Sequence, residues 1–469
     1  MPVVDGRVSA PRIRASRIDF APLRRELELP TEFPLAALRE AEEASRTEHG
    51  DGRVDRTDLA FVTVDPPGAR DLDQAVRLEQ RAGGYRVYYA IADVFAFVVP
   101  GGALDAETHR RGQTVYLPDG KVPLHPPVLS EGAASLLPDR VRPAVLWTVD
   151  LDAGGVPTSH SVERALVRSR AQYAYPDLER ELPEPVALLP TVGKLLIARG
   201  LERGAVDLPL PDQEIEPDGD GWRLELRSPL PVEEWNAQIS LLTGMVAAKI
   251  MLTGGTGLLR TMPPPPEKAI TRLRAAAAAL DIDWPAEQPV GELLAAMRPV
   301  HARELAFVEQ AGDLLSGATY EVPDGSSTGK NEHSAVAAPY AHVTAPLRRL
   351  ADRYATEACL ALHDGREVPA HVRSALPELP ATMQRTARVT NAADRAAVDL
   401  VEAVLLAGRV GEVFEAAVLD VEGRRGTIAL DEPAVRARCD GDLALGTRTR
   451  VRLVEADPAT RKVRFETAG

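Results

Sequence analysis

Cysteine is nearly absent from this chain. Cys359 and Cys439 are the only two in 469 residues. They lie too far apart to form a metal-ligand spacing, so neither a zinc ribbon nor a disulfide framework is expected, and a reducing cytoplasm is. Aromatic residues are scarce, at 4%, so any that fall near a functional stretch carry extra weight. No apolar run approaches membrane-spanning length, and the N-terminus lacks the basic-then-apolar pattern of a secretory signal, so no membrane partner is expected. Positive charge is also short: 55 Lys and Arg against 69 Asp and Glu leave a net charge of −14. That total does not exclude a nucleic-acid partner. Binding needs only a local basic lining, and an acidic exterior discourages non-specific contact.

What the chain does have is a distinctive stretch, Asp65-Pro66-Pro67-Gly68-Ala69-Arg70-Asp71-Leu72-Asp73-Gln74-Ala75. Pro-Pro-Gly marks a turn or irregular loop. Asp71 and Asp73 flank an apolar residue, so in an extended segment both carboxylates project to one side, and Asp65 can fold back toward them across the turn. Three carboxylates so gathered repel one another unless a cation lies between them, and hard oxygen ligands suit Mg²⁺ or Mn²⁺ better than zinc. From this stretch alone, a solvated turn is an equal alternative.

A second informative stretch is Tyr340-Ala341-His342-Val343-Thr344-Ala345-Pro346-Leu347-Arg348-Arg349. Thr344 reads as an N-cap and Pro346 as first-turn proline of a helix running to Leu362. Arg348 and Arg349 then sit at the positive end of the helix dipole, which costs up to about 1 kcal/mol per cation and becomes favourable once an anion arrives. The plain alternative is an Arg348–Asp352 surface pair worth roughly 0.3–0.5 kcal/mol.

The layout is strands first and helices afterwards, an α+β pattern and not a doubly wound sheet. Residues 1–55 read as a short helical appendage (Phe20 to Leu27, Pro34 to Ser45), locally basic through Arg12, Arg14, Arg17, Arg24 and Arg25. A nucleic-acid-binding helical unit and a brace on the core are both open readings of it. Residues 56–406 form the main domain, β-rich from Leu59, with a Gly83-Gly84 hairpin signal and a strand at Ala144 to Leu151. Beyond residue 190 the pattern turns helical: Thr191 to Glu202, Glu233 to Leu252, Glu267 to Leu280, Arg303 to Leu315 and Pro380 to Leu406. Residues 408–469 return to short strands and look like a small OB-fold barrel of the S1 type, a module that often binds single-stranded RNA. Arg448, Arg450, Arg452, Arg461, Lys462 and Arg464 concentrate charge on its last hairpin, either for RNA contact or as ordinary solvated positions.

Asp65 to Ala75, followed by Tyr89-Ala90-Ile91-Ala92-Asp93-Val94, resembles the catalytic signature of the ribonuclease II (RNB) family of exoribonucleases. The Tyr340 to Arg349 stretch is similar to that family's Tyr-x-His-x-Thr-x-Pro-x-Arg-Arg segment. Tyr116-Leu117-Pro118 and Ser135-Leu136-Leu137-Pro138 follow its course as well. The resemblance covers roughly residues 55–469. It implies an RNB core of β-rich first half and helical second half, then the S1-like barrel, with no room ahead of it for cold-shock barrels. It implies a Mg²⁺-dependent (or Mn²⁺-dependent) processive 3′→5′ exoribonuclease acting on single-stranded RNA and releasing nucleoside 5′-monophosphates, and a chain working as a monomer is expected. The family's four aspartates correspond to Asp65, Asp71, Asp73 and, as an uncharged amide, Gln74, implied as metal ligands, with Asp71 and Asp73 catalytic. Arg348 would contact the phosphate being cut, with Arg349 beside it. Tyr116 and Tyr175 would stack on bases, and Asp394 stands where a glutamate touches the terminal nucleotide. Further departures are Leu208 in place of a clamping aromatic and Ala237-Gln238 in place of an acidic pair. With Gln74 uncharged, the rival reading is an RNA-binding member that acts by sequestration. A metal-dependent hydrolase of a non-nucleic substrate is a second rival.

Overall fold

The computed structural model describes residues 18–219, 221–323 and 331–468. Arg12, Arg14 and Arg17 lie outside the described residues. The fold is α+β, with a core of strands followed by helices and a closed five-stranded C-terminal barrel.

The first half is built on strands Phe61–Asp65, Gln74–Arg81, Gly84–Ala92, Val141–Asp152 and Pro157–Ala174. Gln74–Arg81 and Gly84–Ala92 form the expected hairpin, with Gly83 at a φ of 80° in the turn. At Gly84 a Cβ would lie 1.9 Å from the Leu151 carbonyl oxygen, so no larger residue fits there. The strand Pro157–Ala174 was not foreseen, and it does two jobs. Its first part pairs antiparallel with Val141–Asp152; its last part pairs parallel with Phe61–Asp65, setting Ala174 opposite Asp65. The sheet therefore closes on itself, with only the two-residue strand Val54–Asp55 attached outside.

The long helix Pro231–Gly254 packs on this sheet. Its Val232, Ile239, Leu242, Val246 and Met251 share a core with Val62, Val76, Val87, Tyr89 and the fully buried Trp147. By length and composition it could cross a membrane, which corrects the expectation that no apolar stretch comes close. Half of its most apolar window is buried inside the protein. Burial against the sheet accounts for that apolar character. A second correction falls at Asp212–Asp218 and Gly221–Arg227, an antiparallel hairpin inside the region read as helical. Asp218-Gly219, with alternating side chains before it, was the available signal.

The N-terminal helices Ala21–Glu26 and Leu35–Arg46 pack as braces. Phe20 and Leu23 join the cluster of the helix Leu379–Leu406 and the barrel, while Ala37 and Ala41 join one with Leu104 and Leu136. Glu40 accepts the free N–H groups of Ala103 and Leu104 (2.8 Å each), an N-terminal cap delivered from another helix. Arg24 pairs with Asp119 and Glu26 with Arg461, so this segment is stitched to both the core and the barrel.

The barrel closes from strands Val413–Glu422, Arg425–Leu430, Arg436–Asp440, Arg448–Asp457 and Lys462–Thr467. The fifth lies between the third and fourth and runs parallel to the third, an OB-type closure. Its basic hairpin is largely paired internally. Arg448 meets Asp431, Arg452 donates to the Gly411 carbonyl, Arg461 meets Glu26, and Arg464 meets Asp440.

Candidate functional site

The loop from Asp65 to Asp73 is held in place by side chains from elsewhere. Ser135 Oγ donates to the Arg70 carbonyl (2.7 Å) and accepts from the Leu72 N–H (3.0 Å). Gln172 donates to the Ala69 carbonyl at 2.8 Å. Leu72 is fully buried, so Asp71 and Asp73 are fixed on either side of an anchored residue.

The arginine segment is fixed from the opposite side. Thr114 N–H donates to the Arg348 carbonyl, and Leu350 N–H to that of Gly112, both at 2.9 Å. His125 is buried and burial drives its pKa down to about 3, so its Nδ1–H donates to the Leu347 carbonyl at 2.9 Å. The helix begins at Leu350, not at Pro346, and Thr344 is not its cap. The turn before it spends its N–H groups on carboxylates: Ala345 on Asp352 and Leu347 on Asp73, at 2.8 and 2.7 Å. Arg348 and Arg349 thus precede the helix.

These two segments meet. Arg348 Nε lies 3.4 Å from Asp73 Oδ2, with the arginine side chain half exposed and the carboxylate 3% exposed. Burial lifts the Asp73 carboxyl to about 8 despite the Arg348 charge and the Leu347 N–H. It lifts Asp65 to about 7 against the same guanidinium. Asp71 differs. Burial opposes its ionisation, but Lys121 Nζ at 2.8 Å and the Tyr116 hydroxyl at 3.0 Å outweigh that and hold it below the usual range. Lys121 also reaches Glu131 at 3.0 Å. Neither residue was singled out in the sequence, where nothing in their spacing marks them.

Gln74 donates its amide N–H to the Thr344 carbonyl, tying the two stretches once more and leaving its own carbonyl oxygen as the available ligand atom. Among the described residues no three His, Cys, Asp or Glu side chains form a ligand cluster. Of the expected set of Asp65, Asp71, Asp73 and Gln74, Asp71 has both oxygens taken by Lys121 and Tyr116. The chemistry still fits a hard divalent ion. Asp65 Oδ2 is buried with no hydrogen-bond partner, and two buried carboxylates share a single half-exposed guanidinium.

Tyr116 projects from its short strand with 46% of its surface exposed, beside Asp71. Tyr175 follows Ala174, the partner of Asp65, and burial together with the Asp65 charge raises its pKa. Arg349 is committed to Asp352 by two bonds, of 2.5 and 2.8 Å, so the alternative of a plain Arg348–Asp352 pair does not hold. Asp394 is exposed on the helix Leu379–Leu406 and makes no hydrogen bond or ion pair among the described residues. One turn earlier, Thr390 accepts from Gln113, whose backbone bridges Arg349, so this helix passes beside the arginine segment.

The description "RNB domain" matches residues 53–361, and "RNase II-type exonuclease C-terminal S1 domain" matches 412–468. Ribonuclease R of Aquifex aeolicus is 26% identical over 472 residues, covering 94% of this chain and 65% of that protein. Ribonuclease R of Escherichia coli is 27% identical over 414 residues, covering 81% and 50%. The chain thus spans about half to two thirds of the length of these relatives. Among solved structures, Mycoplasma genitalium RNase R in complex with ribose methylated single-stranded RNA superposes with a TM-score of 0.84 at 20% identity, covering 95% of this chain and 77% of that one. Yeast Ssd1, described as a pseudonuclease, gives 0.69 at 16% identity, covering 92% and 53%. At these identities the solved structures establish the fold.

Proposed function

The chain belongs to the RNB family, and on that footing we propose that it is a 3′→5′ exoribonuclease that hydrolyses single-stranded RNA to nucleoside 5′-monophosphates. The observation that carries this reading is the 3.4 Å approach of Arg348 to Asp73, which brings a cation that can hold a phosphate against buried carboxylates that call for a metal ion. The polarity of attack is inferred from the family.

Mg²⁺ or Mn²⁺ would be held by Asp65 and Asp73, with the Gln74 carbonyl within the same stretch. Such an ion would supply charge neutralisation on the phosphoryl group and a lowered pKa for water. Arg348, half exposed, draws the scissile phosphate in and stabilises its growing charge. Asp73 Oδ1 is fixed by the Leu347 N–H, so Oδ2 is the atom left to orient water or bind the ion. Attack of water at phosphorus breaks the P–O3′ bond. It frees a nucleoside 5′-monophosphate and leaves a new 3′-hydroxyl on the shortened strand. Tyr116, and Tyr175 on the Asp65 side, offer ring faces for bases. The C-terminal barrel, of a fold that often binds single strands, would hold the RNA further out. A monomer in the cytoplasm is the setting we assign, in keeping with two buried free cysteines.

RNA labelled on its terminal nucleotides tests the proposal. With Mg²⁺ and not with chelator, labelled mononucleotide should be released at once from RNA labelled at the 3′ end, and its immediate release from RNA labelled at the 5′ end instead would refute it. The sequestration reading draws on Gln74; it wins if RNA is bound but no mononucleotide appears with any divalent ion.

A further inference from the structure

Lys121 sits directly on a candidate metal ligand, and nothing in the reaction outlined above uses it. Its Nζ lies 2.8 Å from Asp71 Oδ1 and 3.0 Å from Glu131 Oε1, with the side chain 21% exposed. The other Asp71 oxygen accepts from the Tyr116 hydroxyl. Both oxygens of this carboxylate are therefore occupied by the protein itself, whereas Asp65 Oδ2 has no partner and Asp73 Oδ2 has only the longer contact to Arg348, the Leu347 N–H taking Oδ1.

We propose that Lys121, seated by Glu131, is a tethered cation that stands in for one divalent ion at Asp71, so that this chain binds a single metal ion, at Asp65 and Asp73. The proposal rests on the nuclease reading of the site. Charge supports it. Asp65, Asp71, Asp73 and Glu131 face Lys121, Arg348 and Arg70, the last 4.0 Å from Glu131, and four carboxylates against three cations leave one negative charge, which one divalent ion already outweighs and a second would drive strongly positive. Position 74, an amide already bonded to Thr344, adds no charge that would call for a second ion. An ammonium has a fixed place on its stem and cannot exchange with solvent ions, so the Asp71 side keeps its charge at any metal concentration. Lys121 acts here as a positioning residue, holding Asp71 away from the ion.

Mn²⁺ binding followed by electron paramagnetic resonance on the full chain without RNA decides this. The wild type should take up one ion per chain with the six-line spectrum of an isolated Mn²⁺. Lys121→Met should admit a second ion and show the coupled spectrum of a close pair, while Lys121→Arg should remain at one. Should the methionine variant fail to fold, Lys121→Gln keeps a hydrogen-bond donor and serves the same purpose. Two ions or none in the wild type would overturn the proposal, as would an unchanged count and spectrum on removing the ammonium. Because no RNA is present, a protein that binds one ion but releases no mononucleotide refutes the nuclease reading alone.

Discussion

The backbone N–H of Leu347 donates to Asp73 Oδ1 over 2.7 Å, joining residues 274 positions apart. This bond lets the arginine segment and the aspartate loop act as one site. It orients Asp73 so that its second oxygen faces Arg348.

Asp73→Asn keeps an oxygen that can accept the Leu347 N–H and removes the charge. Mononucleotide release should fall by about 10²-fold or more. Binding of RNA in a filter assay should persist.

The same variant reads out pH. Asp73 and Asp65 have folded-state values of about 8 and about 7, and Glu402, buried at the barrel junction, about 7, all above their unfolded values. The folded state therefore binds more protons, and the stability these groups contribute is lost as pH rises through the folded values. The lowered histidines act oppositely but only below their unfolded value of about 6.5. Metal-free wild type should melt at a lower temperature at pH 8.5 than at pH 6.5. Asp73→Asn should show a smaller drop, and added Mg²⁺ should reduce the wild-type drop.

Arg348→Ala should lower turnover by about 10²–10³-fold, as when a preorganised donor to developing charge is lost. Being half exposed and only loosely paired, it should leave the melting temperature nearly unchanged. Its neighbour behaves differently. Asp352→Ala strands Arg349 and frees the Ala345 N–H, and should cost about 3–5 kcal/mol in denaturant unfolding. The pair of measurements separates the phosphate contact from the strut.

Tyr116→Ala should weaken RNA affinity by roughly 5- to 150-fold if the ring stacks on a base, the usual worth of one such platform. Tyr116→Phe, which loses only the bond to Asp71, should retain most of the affinity.

Much of this was legible. The Pro-Pro-Gly turn and the Asp-x-Asp spacing located the loop, and the order of strands, helices and final strands located the layers. Lys121 and Glu131 were not legible, because their importance comes from a long-range approach that no periodicity encodes. Thr344 misled for a physical reason: its hydroxyl looked like a cap, but Asp73 and Asp352 from other parts of the chain claimed the N–H groups of that turn. The strand Pro157–Ala174 was missed because polar residues run through much of it, and the hairpin at 212–227 was lost in a helix-rich neighbourhood.

Because the strand Pro157–Ala174 serves as neighbour to both ends of the sheet, the first half of the core has no long raw border where a foreign peptide could add itself. Peeling any one strand away would break two ladders at once. The Asp65 end of that ring should accordingly open only with the whole, and its amides should be among the last to exchange with deuterated solvent.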